Sequence, residues 1–347
     1  MNKIFISVTV LVLALFFGCT PGSKKAENND SAEKQETVDS LMEKAKAFFG
    51  LLPAVALSDE NISTEEKVLL GKALYFDVRL SKDNTQSCNT CHNLETYGVD
   101  NLPTSPGNNG ELGTRNSPTV LNAALHSSQF WDGRDATIED QAGGPILNPV
   151  EMAIPSKQFL IDRLSTIDEY KALFAQAFPD EADPITYMNI QNAIGAFERE
   201  LITPARFDDY LSGNVSALTE VEIEGLQTFI NTGCTTCHLG NALGGNMFHK
   251  FGLFGNYWDH TKSKAIDNGR FDVTQKESDK YVFKVPSLRN IDKTYPYFHD
   301  GSIDDLKESV LIMAKLELNK DLSDEEAEEI VSFLATLTGE VPAHLKE

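Results

Sequence analysis

Cys88-Asn89-Thr90-Cys91-His92 and Cys234-Thr235-Thr236-Cys237-His238 are two copies of one pattern, C-x-x-C-H. The pattern is that of c-type haem attachment. Two thiols add to the two vinyl groups along one porphyrin edge, and the adjacent His is placed to ligate the iron. The chain has 347 residues and five cysteines, so the two copies use every cysteine after Cys19. Other uses of the cysteines fit less well. A four-cysteine zinc site brings its C-x-x-C pairs within about 15–20 residues of one another, whereas Cys91 and Cys234 are 143 positions apart. A disulfide framework would give no reason for a His after each pair. Two covalent c-type haems are therefore expected.

The flanks of the two motifs also repeat. Ser63-Thr64-Glu65-Glu66 and Thr219-Glu220-Val221-Glu222 read as capping boxes, each opening an apolar-periodic helix ahead of its C-x-x-C-H. Gly71-Lys72-Ala73-Leu74-Tyr75-Phe76 and Gly225-Leu226-Gln227-Thr228-Phe229-Ile230 occupy similar places. Ser323-Asp324-Glu325-Glu326 caps a third helix, with Ile330, Phe333, Leu334 and Leu337 on one face. Helix, haem motif, loops and closing helix make one cytochrome c-like module, and two in tandem account for the length. The expected fold is mainly α, with little strand and long loops, and with one covalent haem in each of two domains. Their expected bounds are 46–210 and 211–347.

Ahead of them, Lys3 and the apolar run from Ile4 to Phe17 read as a signal peptide over 1–19. The run is too short for a comfortable membrane span. Gly18-Cys19 resembles the lipobox of bacterial lipoproteins, in which the cysteine is lipidated. The polar stretch that follows, over 20–45, reads as a flexible tether. The expected location is the periplasm, with a lipid anchor through Cys19. Acidic residues outnumber basic ones 52 to 30, a formal charge of −22. That argues against a nucleic-acid partner and favours a basic one.

An ordered series of landmarks between Leu69 and Leu337 resembles the bacterial di-haem cytochrome c peroxidases. It runs through Leu80-Ser81, Ser87-Cys88, Asn116-Ser117-Pro118-Thr119, Gln129-Phe130-Trp131-Asp132-Gly133-Arg134, Gly144-Pro145 and Asn148-Pro149-Val150-Glu151-Met152. It continues with Phe283-Lys284-Val285-Pro286-Ser287-Leu288-Arg289-Asn290 and Pro296-Tyr297-Phe298-His299-Asp300-Gly301. The superfamily is shared with a di-haem enzyme that matures a protein-derived quinone cofactor.

The resemblance implies roles for particular residues. The haem on Cys88, Cys91 and His92 is the peroxidatic one; that on Cys234, Cys237 and His238 receives electrons. Met313 stands where the peroxidases carry the sixth ligand of the second haem and the maturation enzyme carries Tyr. Taken alone, Met313 on an apolar helix reads as core filler; as a ligand, a His/Met pair raises the potential of a c-type haem. Glu151 matches the distal acid–base residue, Gln141 and Phe130 line the same pocket, and Trp131 matches the relay between the haems. A calcium ion is implied at the side chain of Asn116 and the carbonyls of Thr294 and Pro296, an oxygen-only set suited to a hard cation.

One position departs from the pattern. Many members hold the peroxidatic iron inactive with a second His about 16 residues after the first, and Asn108 stands there. No His lies between His92 and His126, and an amide is a poor ligand for ferric haem. The peroxidatic site is thus expected to be active without reductive activation. His126 is the nearest substitute ligand, against its reading as a structural or surface histidine. The expected function is reduction of hydrogen peroxide to water with electrons from a small cytochrome c or blue copper protein, in a homodimer. The alternatives are a di-haem electron carrier and a maturation enzyme that oxidises a partner protein.

Overall fold

Helix starts in this chain are set by hydroxyl caps. The computed structural model describes residues 40–346; the expected signal peptide, Cys19 and the first part of the tether lie outside the described residues. Helix α1 spans residues 40–48. Helix α2 (Glu65–Phe76) is capped by Thr64, one residue later than the sequence pattern implied, its hydroxyl accepting from the Lys67 N–H. The motif helix α3 (Cys88–Cys91) follows. Next come α4 (Ile138–Leu147), α5 (Lys157–Ser165), α6 (Asp168–Ala177) and α7 (Tyr187–Glu198). The second half contains α8 (Arg206–Leu211) and α9 (Glu220–Thr232), the latter opened by the expected Thr219/Glu222 capping box. After the one-turn α10 (Phe271–Thr274) come α11 (Leu306–Leu318) and α12 (Asp324–Ala335), which the Ser323/Glu326 capping box starts. Strand is confined to β1 (Phe248–Lys250) and β2 (Val282–Lys284), an antiparallel pair with Phe248 opposite Lys284. The fold is mainly helical with little strand, as expected.

Two helix pairs carry the packing, and each closes on a glycine. α2 lies against α7, where a Cβ on Gly71 would run into the Ala193 carbonyl oxygen. α9 lies against α12, where a Cβ on Gly225 would run into the Glu329 carbonyl oxygen. Absence of a side chain is what lets these helices approach so closely. Around the first pair, Leu70, Leu74, Ile146, Leu160, Phe174 and Ile190 are buried together. Around the second, Phe207, Leu226, Phe229, Ile330, Phe333 and Leu334 form a separate core.

The start of the folded chain departs from expectation. The expected tether runs to 45, yet Leu41, Met42, Ala45 and Phe49 are buried in the second core, against Phe207 and Phe229. Their spacing puts Leu41, Met42 and Ala45 on one side of α1 with Phe49 just beyond its end, and burying them offsets the cost of ordering the helix. The chain end returns the other way: Val341 and Leu345 pack with Tyr75, Leu121 and Phe197.

Gly71→Ala and Gly225→Ala should each destabilise the holoprotein by about 1–3 kcal/mol, the range for overpacking a filled interior. Denaturant unfolding followed by far-UV circular dichroism checks this; an unchanged midpoint in either variant would mean that the crossing yields without cost.

Candidate functional site

The two C-x-x-C-H segments take the same local form. In each, the His N–H returns to the carbonyl of the first cysteine, at 2.9 Å for His92 to Cys88 and 3.0 Å for His238 to Cys234. Neither pair of cysteines is bridged. Burial pushes the Cys91 thiol up to about 11 and Cys234 to about 12, and raises Cys88 and Cys237 as well. Burial thus disfavours the thiolate form that a metal cluster needs. Among the described residues no group of three or more His, Cys, Asp and Glu could hold a metal ion.

Both histidines are kept neutral, as iron ligation requires. Burial lowers His238 to about 4, while its Nδ1 lies 3.0 Å from the Leu243 carbonyl, the contact that leaves Nε2 for a metal. Burial also lowers His92, whose carbonyl accepts from Tyr75 Oη at 2.5 Å. Its Nδ1 is buried without a well-formed hydrogen bond, although the Gly98 and Pro118 carbonyls lie near enough to favour its protonated form.

Beside Cys91 the chain assembles a group of polar side chains. The Glu151 carboxylate accepts from Asn148 Nδ2 at 3.0 Å and is close enough to Cys91 to raise that thiol. Burial pushes Glu151 above the usual carboxylate range, against a smaller opposing pull from Arg134. The Arg134 guanidinium in turn stacks 3.3 Å over the Phe130 ring. Phe130 faces Gly144 of α4, one turn beyond Gln141. Arg134 thus stacks on Phe130 while its charge is felt at Glu151.

The Asn108 side chain is turned toward Asp83 and Thr85. Its Oδ1 accepts from the Asp83 N–H at 3.1 Å and from Thr85 Oγ1 at 3.3 Å, and its Nδ2 donates to Asp83 Oδ2 at 3.0 Å. Its own N–H donates to the Glu151 carbonyl at 2.6 Å. The small hairpin around it closes through a bridge between Pro106 and Leu112, and a Cβ on Gly107 would strike the Val150 carbonyl. His126 is elsewhere: its Nδ1 lies 3.3 Å from Lys284 Nζ and its ring abuts Gly245. A surface position for His126 is thus excluded, since its ring is packed and burial drives its pKa well below normal.

The second motif opens on a cavity of about 250 Å³. Cys234, Cys237, His238 and Met313 all line it, as do Trp131, Asn116, Thr294 and Pro296. Residues from 116 to 313 thus converge on one wall. The Trp131 indole N–H donates to the Asn116 carbonyl at 2.9 Å, and the Asn116 N–H donates to the His299 carbonyl at 2.8 Å. Trp131 and His299 meet edge to face at 6.4 Å.

That contact exposes a repeat not read from the sequence. Phe130-Trp131-Asp132-Gly133 and Phe298-His299-Asp300-Gly301 are the same turn used twice. Phe130 and Phe298 both adopt left-handed φ, 64° and 68°, and their glycines 65° and 58°. Bridges close each turn, Gln129 to Asp135 and Tyr297 to Ile303. Each Asp caps the backbone two residues on, Asp132 at Arg134 and Asp300 at Ser302. The shared F-x-D-G string was the available signal.

Comparison with known proteins points to one family. The sequence description of the family "Di-haem cytochrome c peroxidase" matches residues 65–216. The chain is 43% identical over 307 residues to the cytochrome c551 peroxidase of Pseudomonas aeruginosa, covering 88% of each chain. It is 35% identical to the methylamine utilization protein MauG of Methylophilus methylotrophus, covering 80% of this chain and 84% of that one. Among solved structures, a MauG-like protein associated with microbial copper homeostasis superposes with a TM-score of 0.74 at 29% identity, over 85% of this chain and 96% of that one.

Replacing Cys234 and Cys237 together by Ser should halve the covalently bound haem, measured by pyridine haemochrome on denatured protein. Full retention would exclude this motif as an attachment site.

Proposed function

The chain belongs to the di-haem cytochrome c peroxidase family and is a peroxidase, and from that premise we propose that it reduces hydrogen peroxide to water in the periplasm, using electrons from a small soluble cytochrome c or blue copper protein. Two c-type haems are implied by the family. In this reading Cys88, Cys91 and His92 hold the peroxidatic haem; Cys234, Cys237, His238 and Met313 hold the electron-receiving one. The observation that carries it is the presence of Met313 and His238 in the wall of one cavity. A thioether there favours a haem that stays reduced, and it weighs against the maturation activity, which goes with Tyr at this place.

When bound, the haems supply the iron that takes peroxide and the electrons that reduce it; the chain supplies proton transfer and positioning. Glu151 takes the proton from one peroxide oxygen and returns it to the other, a role worth typically 10²–10⁴-fold. Asn148 orients its carboxylate, and burial raises its proton affinity toward what a transfer group needs. Phe130 and Gln141 shape the pocket and limit water. Trp131, fixed by Asn116, is the proposed relay toward the second motif. The Asn116 side chain with the Thr294 and Pro296 carbonyls is the proposed calcium site; all three line the same cavity. Homodimerisation and lipidation of Cys19 complete the reading by resemblance.

The Asn108 geometry bears on activation. Its amide is engaged by Asp83 and Thr85 and cannot serve as an iron ligand without breaking those bonds. We therefore assign a peroxidatic site that is ready while both haems are ferric.

Fully ferric enzyme mixed with peroxide and a reduced small cytochrome c should turn over without a lag. Turnover that appears only after pre-reduction would sink the ready-state assignment and leave the peroxidase intact. Glu151→Gln should lower kcat by about 100- to 10,000-fold with the haem spectra unchanged. Because burial raises the Glu151 pKa, the required carboxylate is lost as pH falls through that raised value. The acid limb of kcat/KM should thus lie above the ordinary carboxylate pKa of about 4.3, and Glu151→Gln should abolish it.

A further inference from the structure

The wall of the cavity containing His238 and Met313 is short of negative charge, in a protein with a net −22. It carries two lysines, Lys250 and Lys284, against one carboxylate, Glu317. That carboxylate is engaged: Oε1 accepts from the Gly252 N–H at 2.6 Å, and Oε2 lies 3.4 Å from His249 Nδ1. Lys250 is exposed and hydrated, whereas Lys284 is only 7% exposed.

Lys284 is an ammonium without a carboxylate contact. Its Nζ donates to the Ser128 carbonyl at 2.8 Å and approaches His126 Nδ1 at 3.3 Å, and no carboxylate among the described residues reaches it. The carboxylate whose field it feels is Asp132. Asp132 already accepts from Arg115 at 2.5 Å and from Arg134 at 3.1 Å. Burial lowers the Lys284 pKa to about 8, so the group still carries its proton at neutral pH. A buried charge left in this state is costly unless something pairs with it. The side chain is also held in place, because β2 pairs with β1 and the Lys284 N–H donates to the Trp131 carbonyl at 2.7 Å.

A c-type haem brings two propionate carboxylates into whatever cavity receives it. We propose that Lys284 is the counter-charge for a propionate of the haem attached at Cys234 and Cys237. The assignment rests on the di-haem reading above and adds to it a determinant of that haem's potential. A cation at the haem edge favours the reduced form, which carries one positive charge fewer, so Lys284 and Met313 act in the same direction.

The test is a spectroelectrochemical titration of the holoenzyme and two variants, after pyridine haemochrome has counted the haems. Lys284→Gln should lower the potential of the His238/Met313 haem by at least tenfold in its reduction equilibrium, about 59 mV for one electron. Lys284→Arg should keep it near the wild-type value. If Lys284→Gln does not accumulate, resonance Raman decides. The propionate bending band of this haem should move between wild type and Lys284→Arg, since a guanidinium then faces the carboxylate. Two haems with an unmoved potential in Lys284→Gln, or an unmoved band in Lys284→Arg, overturn the assignment and leave the peroxidase reading standing. Fewer than two covalent haems in the wild type would bring down the di-haem reading and this one together.

Discussion

The backbone of one residue, Asn116, fastens the Trp131 turn to the His299 turn. Its N–H is held by the His299 carbonyl and its carbonyl by the Trp131 indole. Each of those partners sits in a tight turn that a left-handed phenylalanine makes possible. Left-handed φ at a bulky residue is costly and persists only where the surroundings over-determine it. Here the surroundings are specific. Arg134 stacks on Phe130, while Phe251 packs on Phe298. Arg115 joins Asp132 of the first turn to Asp267 of the second half, at 2.5 and 2.6 Å. The position of Trp131 thus follows from contacts on both sides of the molecule, and a shift on either side would move it.

Local signals were legible in the sequence. C-x-x-C-H, the capping residues and the two glycine-led helices all act within a few positions, and the structure keeps them nearly in register. Even there, Thr64 rather than Ser63 caps α2, because two adjacent hydroxyls offered the same bond. What escaped was long-range. α1 looks like the end of a polar tether until the Phe207 and Phe229 surface is present to receive it. The bonds of Asn108 to Asp83 and Thr85 cross more than twenty positions and leave no pattern in either segment. Lys284 reads as one residue of a family string; only the fold shows that Arg115 and Arg134 have taken its nearest carboxylate. The F-x-D-G repeat was in plain view, but its two copies differ at the second position, Trp131 against His299.

Charge is distributed against the global balance. Acidic side chains cap helix starts and occupy outer faces, as on α12, where Asp324, Glu325 and Glu328 are exposed. Inside, arginines hold particular carboxylates: Arg199 holds Glu139 at 2.9 Å and Arg289 holds Asp208 at 2.5 Å. Such buried pairs contribute little net stability but are costly to break from one side. They fix which segment meets which, since each joins positions at least 60 apart.

The duplicated turn has a consequence of its own. Equivalent positions in the two copies present an indole and an imidazole, with rings 6.4 Å apart. An indole gives up an electron far more readily than it exchanges its proton; an imidazole exchanges a proton readily and resists oxidation. By varying one residue in a repeated frame, the chain has set two rings of opposite chemical character side by side while keeping each in the same backbone setting.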